Sequence, residues 1–536
     1  MNPRTALLVI PPCFVSRELD FEIGFPAHLL VLQRVVQESG WLCTVLDMTL
    51  EEKDGVDSYS VLDRYLEDGQ LRWIGISNHT VRTSVTTRAV AEHVKQRRPD
   101  VLVLVGGVNA TFMWRELLTG CHAIDLILRG YSQPSLRWLL QAMERGSCLR
   151  VPGVVARAGD GPVCEPMPPV SADDFAAPDL QGINARRYLS WTRTYPLLTH
   201  TGCQFSCNFC TSVMPGPYQN REVHRPAWDV IAEMQAALDT GFTSFSMTAN
   251  VFTTHRERCL DLLRALCAAG IQEQATWSCM SRVEFVDAEL LSTMRAAGCV
   301  NIAFGVEAVG KAQWRSLRKG RFSEDVIVRA FDSARAAGLT TSSFLILGAP
   351  TQTQEDIEAT VAFIREVDPE YRVVNFFQPF PGTPYWSDPE SHGLSEIAPL
   401  EEWNFHEAPI CRTRHLDKDA LLRAAVRLYL DRDPDLPLNP ESDSLHLPVI
   451  EAAILDDAPD FVRETVAACA SGTIAGALRV LRERHGNREH LIALYWLSAL
   501  LRRGVLQRRP GASARPCGAP PFSRHFRPEE ENLVTH

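Results

Sequence analysis

The chain has 536 residues, of which 45% are hydrophobic and 22% are charged, and its formal net charge is −11. A chain of this length is too long to fold around one hydrophobic core, so several domains are expected. The composition excludes a chain that is disordered throughout. The acidic balance argues against nucleic acid as a general partner. Because we find neither a secretory signal nor an apolar run that could span a bilayer, we expect a cytoplasmic protein with no membrane partner. The fifteen cysteines are then expected to be reduced thiols, with a subset binding metal.

Residues 1–150 alternate short apolar strands with amphipathic helices, which predicts a doubly wound parallel α/β sheet. The predicted strands are Ala6–Ile10, Cys43–Asp47, Trp73–Ser77, Val101–Gly106 and Ala123–Leu128, and two of the helices are Ala27–Ser39 and Val85–Arg97. Ligands of such sheets bind beyond the carboxyl ends of the strands. The binding candidates at these ends are Ser77, His79, Thr80, Gly106, Gly107 and Gly130.

Residues 151–190 are rich in Pro, Gly and Asp, most clearly over Pro152–Asp179, and are predicted to be a linker. Residues 191–395 hold six further strand–helix units, with the unusual residues at strand ends, which predicts a partial (β/α)6 barrel. The strands predicted there are Leu197–His200, Ser244–Ala249, Thr276–Met280, Asn301–Val306, Thr341–Leu347 and Arg372–Pro379.

Residues 396–510 are predicted to form a helical C-terminal domain, and residues 511–536 a disordered tail. The predicted helices are Leu421–Leu430, Pro459–Ala470, Ile474–Arg484 and Glu489–Arg502. The last two helices and the glycines around them resemble a small winged-helix unit of the PqqD-like leader-peptide recognition type. A plain structural cap is the alternative.

Three cysteines, Cys203, Cys207 and Cys210, lie within eight residues after a predicted strand. Thiolates hold iron–sulfur clusters, which usually need four ligands, so a triad without a nearby fourth cysteine leaves one iron open for catalysis. A structural zinc site that also uses His200 or His224 is the alternative.

The C-x3-C-x2-C spacing, with the aromatic Phe209 before the last cysteine, resembles the signature of the radical S-adenosylmethionine (SAM) superfamily. The resemblance implies a [4Fe–4S] cluster whose open iron binds SAM. Further similarities are Gly305-Val306-Glu307, Gly348-Ala349-Pro350 and Pro381-Gly382-Thr383-Pro384. The SAM-binding residues implied in this way are Phe209, Asn250, Ser278, Arg282, Glu307 and Lys319.

Two positions depart from the pattern of that superfamily. Many relatives carry Asp-Asp where this chain has Ala249-Asn250, which leaves only an amide carbonyl to accept a hydrogen bond from the SAM ammonium. The usual G-x-P-G-E-T reads Gly348 to Thr353 here without its carboxylate. We therefore expect SAM to bind with a modified geometry.

The first domain resembles the cobalamin-binding domain found in one family of radical SAM enzymes, through Pro11-Pro12, Gly75-Ile76-Ser77 and Gly106-Gly107. The D-x-H-x-x-G motif that supplies a cobalt ligand elsewhere is absent, so cobalt would lack a protein histidine unless His28 or His79 reaches it. A vestigial domain without cobalamin is the alternative. A dinucleotide-binding domain is excluded because Pro11-Pro12 stand where its glycines are required.

These resemblances together imply a class B radical SAM methylase. Such an enzyme methylates an unactivated carbon in natural-product or secondary metabolism through a 5′-deoxyadenosyl radical and methylcobalamin. A small-molecule or peptide substrate and an external electron donor such as flavodoxin or ferredoxin are implied as partners. Other radical transformations, such as cyclisation, rearrangement or another group transfer, remain open, and so does a non-catalytic iron–sulfur redox sensor.

Overall fold

The fold is that of a computed structural model. It describes residues 4–12, 24–430, 445–446 and 507–508, apart from residues 148, 158–160, 176, 191, 193, 213–215, 321, 401–402 and 404–408. None of the helices in this described part of the chain has the length and apolar character needed to cross a membrane.

The amino-terminal part forms a seven-stranded sheet with the order β2-β1-β3-β4-β5-β6-β7. Its elements are β1 (Thr5–Ile10), α1 (Ala27–Glu38), β2 (Leu42–Asp47), α2 (Met48–Lys53), α3 (Ser58–Leu66), β3 (Leu71–Ser77), α4 (Thr83–Arg97), β4 (Leu102–Gly106), α5 (Val108–Phe112), α6 (Trp114–Gly120), β5 (Leu126–Leu128), α7 (Ser132–Arg145), β6 (Val154–Ala156) and β7 (Val163–Cys164). The strands β1 to β5 are parallel, and alternate residues of β1 belong to separate apolar clusters on the two faces. The predicted doubly wound sheet is therefore confirmed.

The segment predicted to be a linker extends this sheet. Strand β6 pairs antiparallel with β5, and β7 pairs antiparallel with β6. Val154 and Val155 are buried, so they supply the apolar pair that a two-sided sheet needs even though Pro and Gly surround them. The Pro- and Gly-rich composition predicted only turns, and the strand β6 was too short to be recognised.

The second sheet has six strands, all parallel to their neighbours, in the order β15-β14-β13-β12-β11-β8. Its region contains α8 (Ala185–Leu189), β8 (Thr194–Leu197), β9 (His200–Cys203), β10 (Arg221–His224), α9 (Ala227–Thr240), β11 (Ser244–Met247), α10 (Arg256–Ala268), β12 (Thr276–Ser281), α11 (Ala288–Ala296), β13 (Cys299–Glu307), α12 (Lys311–Ser316), α13 (Glu324–Ala336), β14 (Thr340–Leu347), α14 (Gln354–Val367) and β15 (Tyr371–Phe376). This arrangement confirms the predicted partial barrel.

The first barrel strand differs from its predicted bounds. The prediction Leu197–His200 spans the point where the chain leaves the sheet, since β8 ends at Leu197. His200 instead begins β9, which forms an antiparallel hairpin with β10. Two adjacent leucines made the two strands look continuous.

The remaining described elements are α15 (Pro384–Ser387), β16 (Leu394–Ser395), β17 (Arg412–Thr413), α16 (Lys418–Leu430), β18 (Leu445–His446) and β19 (Gln507–Arg508). Helix α16 confirms the helix predicted at Leu421–Leu430, and its buried Leu421, Ala425 and Leu428 pack with α14 and β15. The other three predicted C-terminal helices and the predicted tail lie outside the described residues.

Candidate active site

The three cysteines of the motif line one cavity of about 390 Å³ at the carboxyl ends of the barrel strands. Cys203 is the last residue of β9, and Cys207 and Cys210 follow in the loop, all half-buried. Gly202 has a φ of +85°, and a Cβ there would lie 2.0 Å from the carbonyl oxygen of Arg221. A glycine is therefore required for β10 to approach the strand that carries the first cysteine.

Two amide side chains hold the cysteine loop in place. Asn208 Nδ2 donates to the carbonyl of Ser316 at 2.8 Å, which ties the loop to α12. Asn250 Nδ2 donates to the Gly202 carbonyl at 2.6 Å, and its Oδ1 accepts from the Ser212 hydroxyl at 2.9 Å. The amide carbonyl expected to face SAM is thus occupied within the loop, although Asn250 does line the cavity.

Positive charge lies close to the thiols. Arg282 Nη1 is 3.8 Å from Cys207 Sγ, and its guanidinium carbon lies 4.0 Å from the ring centroid of Phe205. Burial raises the pKa of Cys203 to about 11. Burial also raises the pKa of Cys207, while Lys319 and Arg282 oppose this rise. Since a metal binds the thiolate form, these two cations favour the ligating state of Cys207.

Glu307 and Lys319 form a buried ion pair at the same cavity, with Lys319 Nζ 2.8 Å from Glu307 Oε1. Arg282 also donates to the backbone carbonyl of Lys319 and to Glu284. The structure therefore brings the predicted residues Phe209, Asn250, Arg282, Glu307 and Lys319 to one cavity with the triad.

Ser278 lies inside β12 and does not line this cavity. The neighbouring residues that do line it are Met280 and Ser281, at the end of the strand. The contact of Ser278 with the SAM ribose stays a prediction. The sequence motifs also did not mark Asn375 and Gln378, which line the cavity at and after the end of β15.

The donor set fits a [4Fe–4S] cluster with one open iron. Three thiols face the same cavity, and no fourth cysteine occurs among the described residues that line it. His200 and His224, the partners considered for a zinc site with these cysteines, do not line it. Arg282, Glu307 and Lys319 line the same cavity and would be available to SAM bound at the cluster.

A second cavity, of about 600 Å³, lies at the carboxyl ends of the first sheet and is closed from the other side by barrel residues. The candidates at the strand ends of the first sheet are the residues that the cobalamin-binding resemblance implies for the corrinoid, and of these Ser77, His79, Gly106, Gly107 and Gly130 line the cavity. Thr80 does not. Its hydroxyl accepts the backbone N–H of Thr83, which places Thr80 in the turn before α4.

Two histidines face each other in this cavity, since the rings of His28 and His79 are 4.4 Å apart at 86°. Both residues are solvent-accessible and line the cavity, and protein atoms crowd around the two rings. Burial lowers the pKa of His79 to about 4, and burial together with His79 lowers that of His28. Both imidazoles are therefore neutral at pH 7.

A buried amide pair fixes the loops that carry the glycines. Asn109 Nδ2 donates to Asn78 Oδ1 at 2.7 Å and to the Ser84 hydroxyl at 2.6 Å. A Cβ on Gly107, whose φ is +113°, would lie 2.3 Å from the Asn78 carbonyl oxygen. The glycine thus permits a close approach of two loops and leaves the strand ends free of side chains, which suits a bulky corrinoid.

The two cavities share strand β9. Thr201 lines the first-sheet cavity, and Cys203, two residues later, lines the triad cavity. Residues two apart on a strand point to one face and are separated by about 7 Å. The two cavities are therefore adjacent, and cofactors bound in them would be neighbours.

Comparison with known proteins agrees with this geometry. A model described as the radical SAM superfamily matches residues 197–364, and one described as the B12 binding domain matches residues 22–139. An uncharacterized methyltransferase of Pyrococcus horikoshii is 22% identical over 80% of this chain and 92% of its own length. A second relative is the anaerobic magnesium-protoporphyrin IX monomethyl ester cyclase of Cereibacter sphaeroides, which is 27% identical over 62% of this chain. The match covers 55% of that relative, so this chain spans about half of its length.

The solved structure of TsrM, a radical S-adenosylmethionine methyltransferase of Kitasatospora setae with tryptophan and a SAM analogue bound, superposes with a TM-score of 0.62. It covers 73% of this chain and 77% of TsrM at 18% identity, so it shows a shared fold. With both domain models matched and their cavities side by side, the chain belongs to the radical SAM enzymes that carry a cobalamin-binding domain.

Proposed function

We propose that the chain is a cobalamin-dependent C-methyltransferase that acts on an unactivated carbon of a small molecule in secondary metabolism, in the cytoplasm. The observation that carries this proposal is the position of Thr201 and Cys203, which brings the two cavities together on one strand. The cluster, SAM and cobalamin would together supply radical generation and a transferable methyl group. The name of the Pyrococcus horikoshii relative supports the same reaction.

The protein residues have separate roles in this proposal. Cys203, Cys207 and Cys210 ligate the cluster. Arg282 and Lys319 supply positive charge beside Cys207 and would hold the carboxylate of SAM. His28 and His79 line the first-sheet cavity and would face a corrinoid bound there.

The substrate would occupy the side of the triad cavity formed by β14 and β15. The apolar lining there comprises Phe344, Ile346, Phe376, Phe377 and Phe380. Gln378 is 3% exposed, and its Nε2 has no hydrogen-bond partner among the described residues. We infer an apolar substrate with an acceptor oxygen that meets this amide. An external one-electron donor such as flavodoxin or ferredoxin would reduce the cluster.

The test is anaerobic reconstitution with iron, sulfide and cobalamin, followed by reduction in the presence of SAM with a deuterated methyl group. We expect 5′-deoxyadenosine, S-adenosylhomocysteine and label in the corrinoid fraction. Cys207→Ser should lose iron and all 5′-deoxyadenosine, whereas Cys267→Ser, at an exposed cysteine on α10, should behave as the parent.

Two results would contradict the proposal in different ways. If protein that carries its cluster forms neither 5′-deoxyadenosine nor S-adenosylhomocysteine, the chain is not an enzyme of this kind. Formation of 5′-deoxyadenosine without S-adenosylhomocysteine, and without a corrinoid absorption band, would instead indicate another radical reaction with a vestigial first domain. The Cereibacter sphaeroides cyclase makes ring closure the second candidate.

A further inference from the structure

The hairpin of β9 and β10 carries a second group of metal-ligating side chains, outside both cavities. His200 and His224 stand directly opposite each other across the two strands, and Glu222 stands opposite Gly202. Opposed residues share one face of a hairpin, and the glycine leaves the space beside Glu222 free. His255, immediately before α10, reaches the same face, with its ring centroid 4.8 Å from that of His224.

The spacing of the donor atoms matches a metal site. Glu222 Oε2 lies 3.2 Å from His224 Nε2 and 3.3 Å from His255 Nε2. The ligand atoms of these three residues all lie within 4.8 Å of one another. Nitrogen and oxygen ligands about 2.0–2.1 Å from a tetrahedral zinc ion are about 3.3 Å apart. A zinc ion could therefore be bound with little movement of the side chains.

Two buried polar atoms at this position lack a partner. The Glu222 side chain is 1% exposed, and its Oε1 has no hydrogen bond from any residue that the structure describes. His200 is 3% exposed, its ring lies 4.6 Å from that of His224, and its Nε2 is equally unpartnered within the described chain. Buried polar atoms are almost always satisfied, so their presence beside three convergent donors indicates a cation.

We propose that Glu222, His224 and His255 bind a zinc ion, with His200 beside them as the fourth side chain of the site. Imidazole nitrogen and carboxylate oxygen are both ligands that zinc binds in proteins, and two histidines with one glutamate are a known set of three. His255 is 46% exposed, so the ion has a route from solvent. The Gln204 amide, which now contacts His255 Nε2, would be displaced. Such an ion would join β10 and the start of α10 to β9, the strand that ends in Cys203.

The test uses the full-length chain with its iron–sulfur cluster loaded, equilibrated with zinc and then desalted. We expect about one zinc per chain, with nitrogen and oxygen neighbours at about 2.0 Å and no sulfur at about 2.3 Å in zinc-edge X-ray absorption. His255→Ala changes a partly exposed side chain, and Glu222→Gln keeps the shape of the buried one. Each should lower the zinc content at least tenfold, and His122→Ala, at an exposed histidine, should not.

Zinc that stays bound in both variants, zinc with sulfur neighbours, or no zinc in the parent would each overturn the proposal. Circular dichroism melts of the variants establish that they are folded. Because iron content and 5′-deoxyadenosine formation are measured separately, the zinc result does not depend on the proposed methyl transfer.

Discussion

Lys319 and Glu307 meet across a glycine. The Lys319 Nζ to Glu307 Oε1 distance is 2.8 Å, and a Cβ on Gly305 would lie 2.6 Å from each of these two atoms. Glu307 has a φ of +66°, which is uncommon for a residue other than glycine. The missing side chain of Gly305 thus leaves room for the ion pair, which lies with the triad in one cavity.

The first prediction concerns this pair. Lys319→Met should destabilise the fold by about 3–5 kcal/mol, because Glu307 is left buried without its cation. Adding Glu307→Gln should restore much of the melting temperature while SAM binding stays weak. Thermal melts and equilibrium dialysis with SAM measure the two effects. If Lys319→Met alone has the same melting temperature as the parent, the ion pair has no structural role.

The second prediction concerns Arg282. Arg282→Lys keeps the charge but loses the planar group that stacks on Phe205 and contacts Cys207. We expect at least a tenfold decrease in SAM cleavage at unchanged iron content. Arg264→Lys, at an exposed position on α10, is the control. Equal loss of iron and activity would mean that Arg282 holds the cluster loop and does not bind SAM.

The third prediction compares two glycines with positive φ. Gly107→Ala introduces a Cβ against the Asn78 carbonyl, whereas Gly146→Ala, with a φ of +60°, meets no atom within 4 Å. Gly146→Ala bears the left-handed backbone cost of about 1–2 kcal/mol. Gly107, with a φ of 113° and a ψ of 172°, lies in a region that is essentially restricted to glycine, so Gly107→Ala bears a larger backbone cost as well. Only Gly107→Ala should also reduce the cobalamin content of the reconstituted chain, measured by absorbance. Equal cobalamin content in the two variants would show that the loop carrying Gly107 is not part of the corrinoid site.

The fourth prediction concerns pH and Asp47. Burial raises the pKa of Asp47 to about 6, although Leu50 and Tyr188 donate hydrogen bonds to it. An unfolded aspartate has a pKa of about 3.9, so the folded state holds this proton more tightly. The contribution of Asp47 to stability therefore falls as pH rises from about 4 through 6.

Asp47→Asn does not ionise and can keep both hydrogen bonds. Its melting temperature relative to the parent should rise between pH 4 and pH 7, by the equivalent of up to about 3 kcal/mol. Asp57→Asn is the control, because hydrogen bonds from Ser60 and the backbone hold the pKa of the exposed Asp57 below its usual value. The melting temperature of Asp57→Asn relative to the parent should not rise between pH 4 and pH 7.

The sequence predicted most strands of both sheets to within a few residues because apolar runs alternate with amphipathic helices. It failed where tertiary contacts override local pattern. Residues 123–125 look like part of β5, but Ala123 lies in a turn and the strand begins only at Leu126. Asp125 lies between the two, and its carboxylate accepts the Val103 N–H. The short strand at Val154 had too few residues to stand out from its glycines and prolines.

The candidate site was predictable where a motif is continuous along the chain. The triad, Glu307 and Arg282 lie on strand ends or in the loops that follow, and the topology brings these points together. The group around Glu222 was not, since its members come from two strands and from His255, and only the hairpin register aligns them. Asn250 was identified as a departure, but its two hydrogen bonds to the cysteine loop could not be derived from local sequence.

Strands β6 and β7 determine where this chain can be divided. A fragment ending at residue 150 would leave β5 as a bare edge and remove the Gly153 carbonyl that accepts the Arg129 N–H. Exposed edges of this kind pair with other chains. A separately expressed first domain should therefore continue at least through Cys164, and even then it would expose the apolar face that shares one core with the barrel.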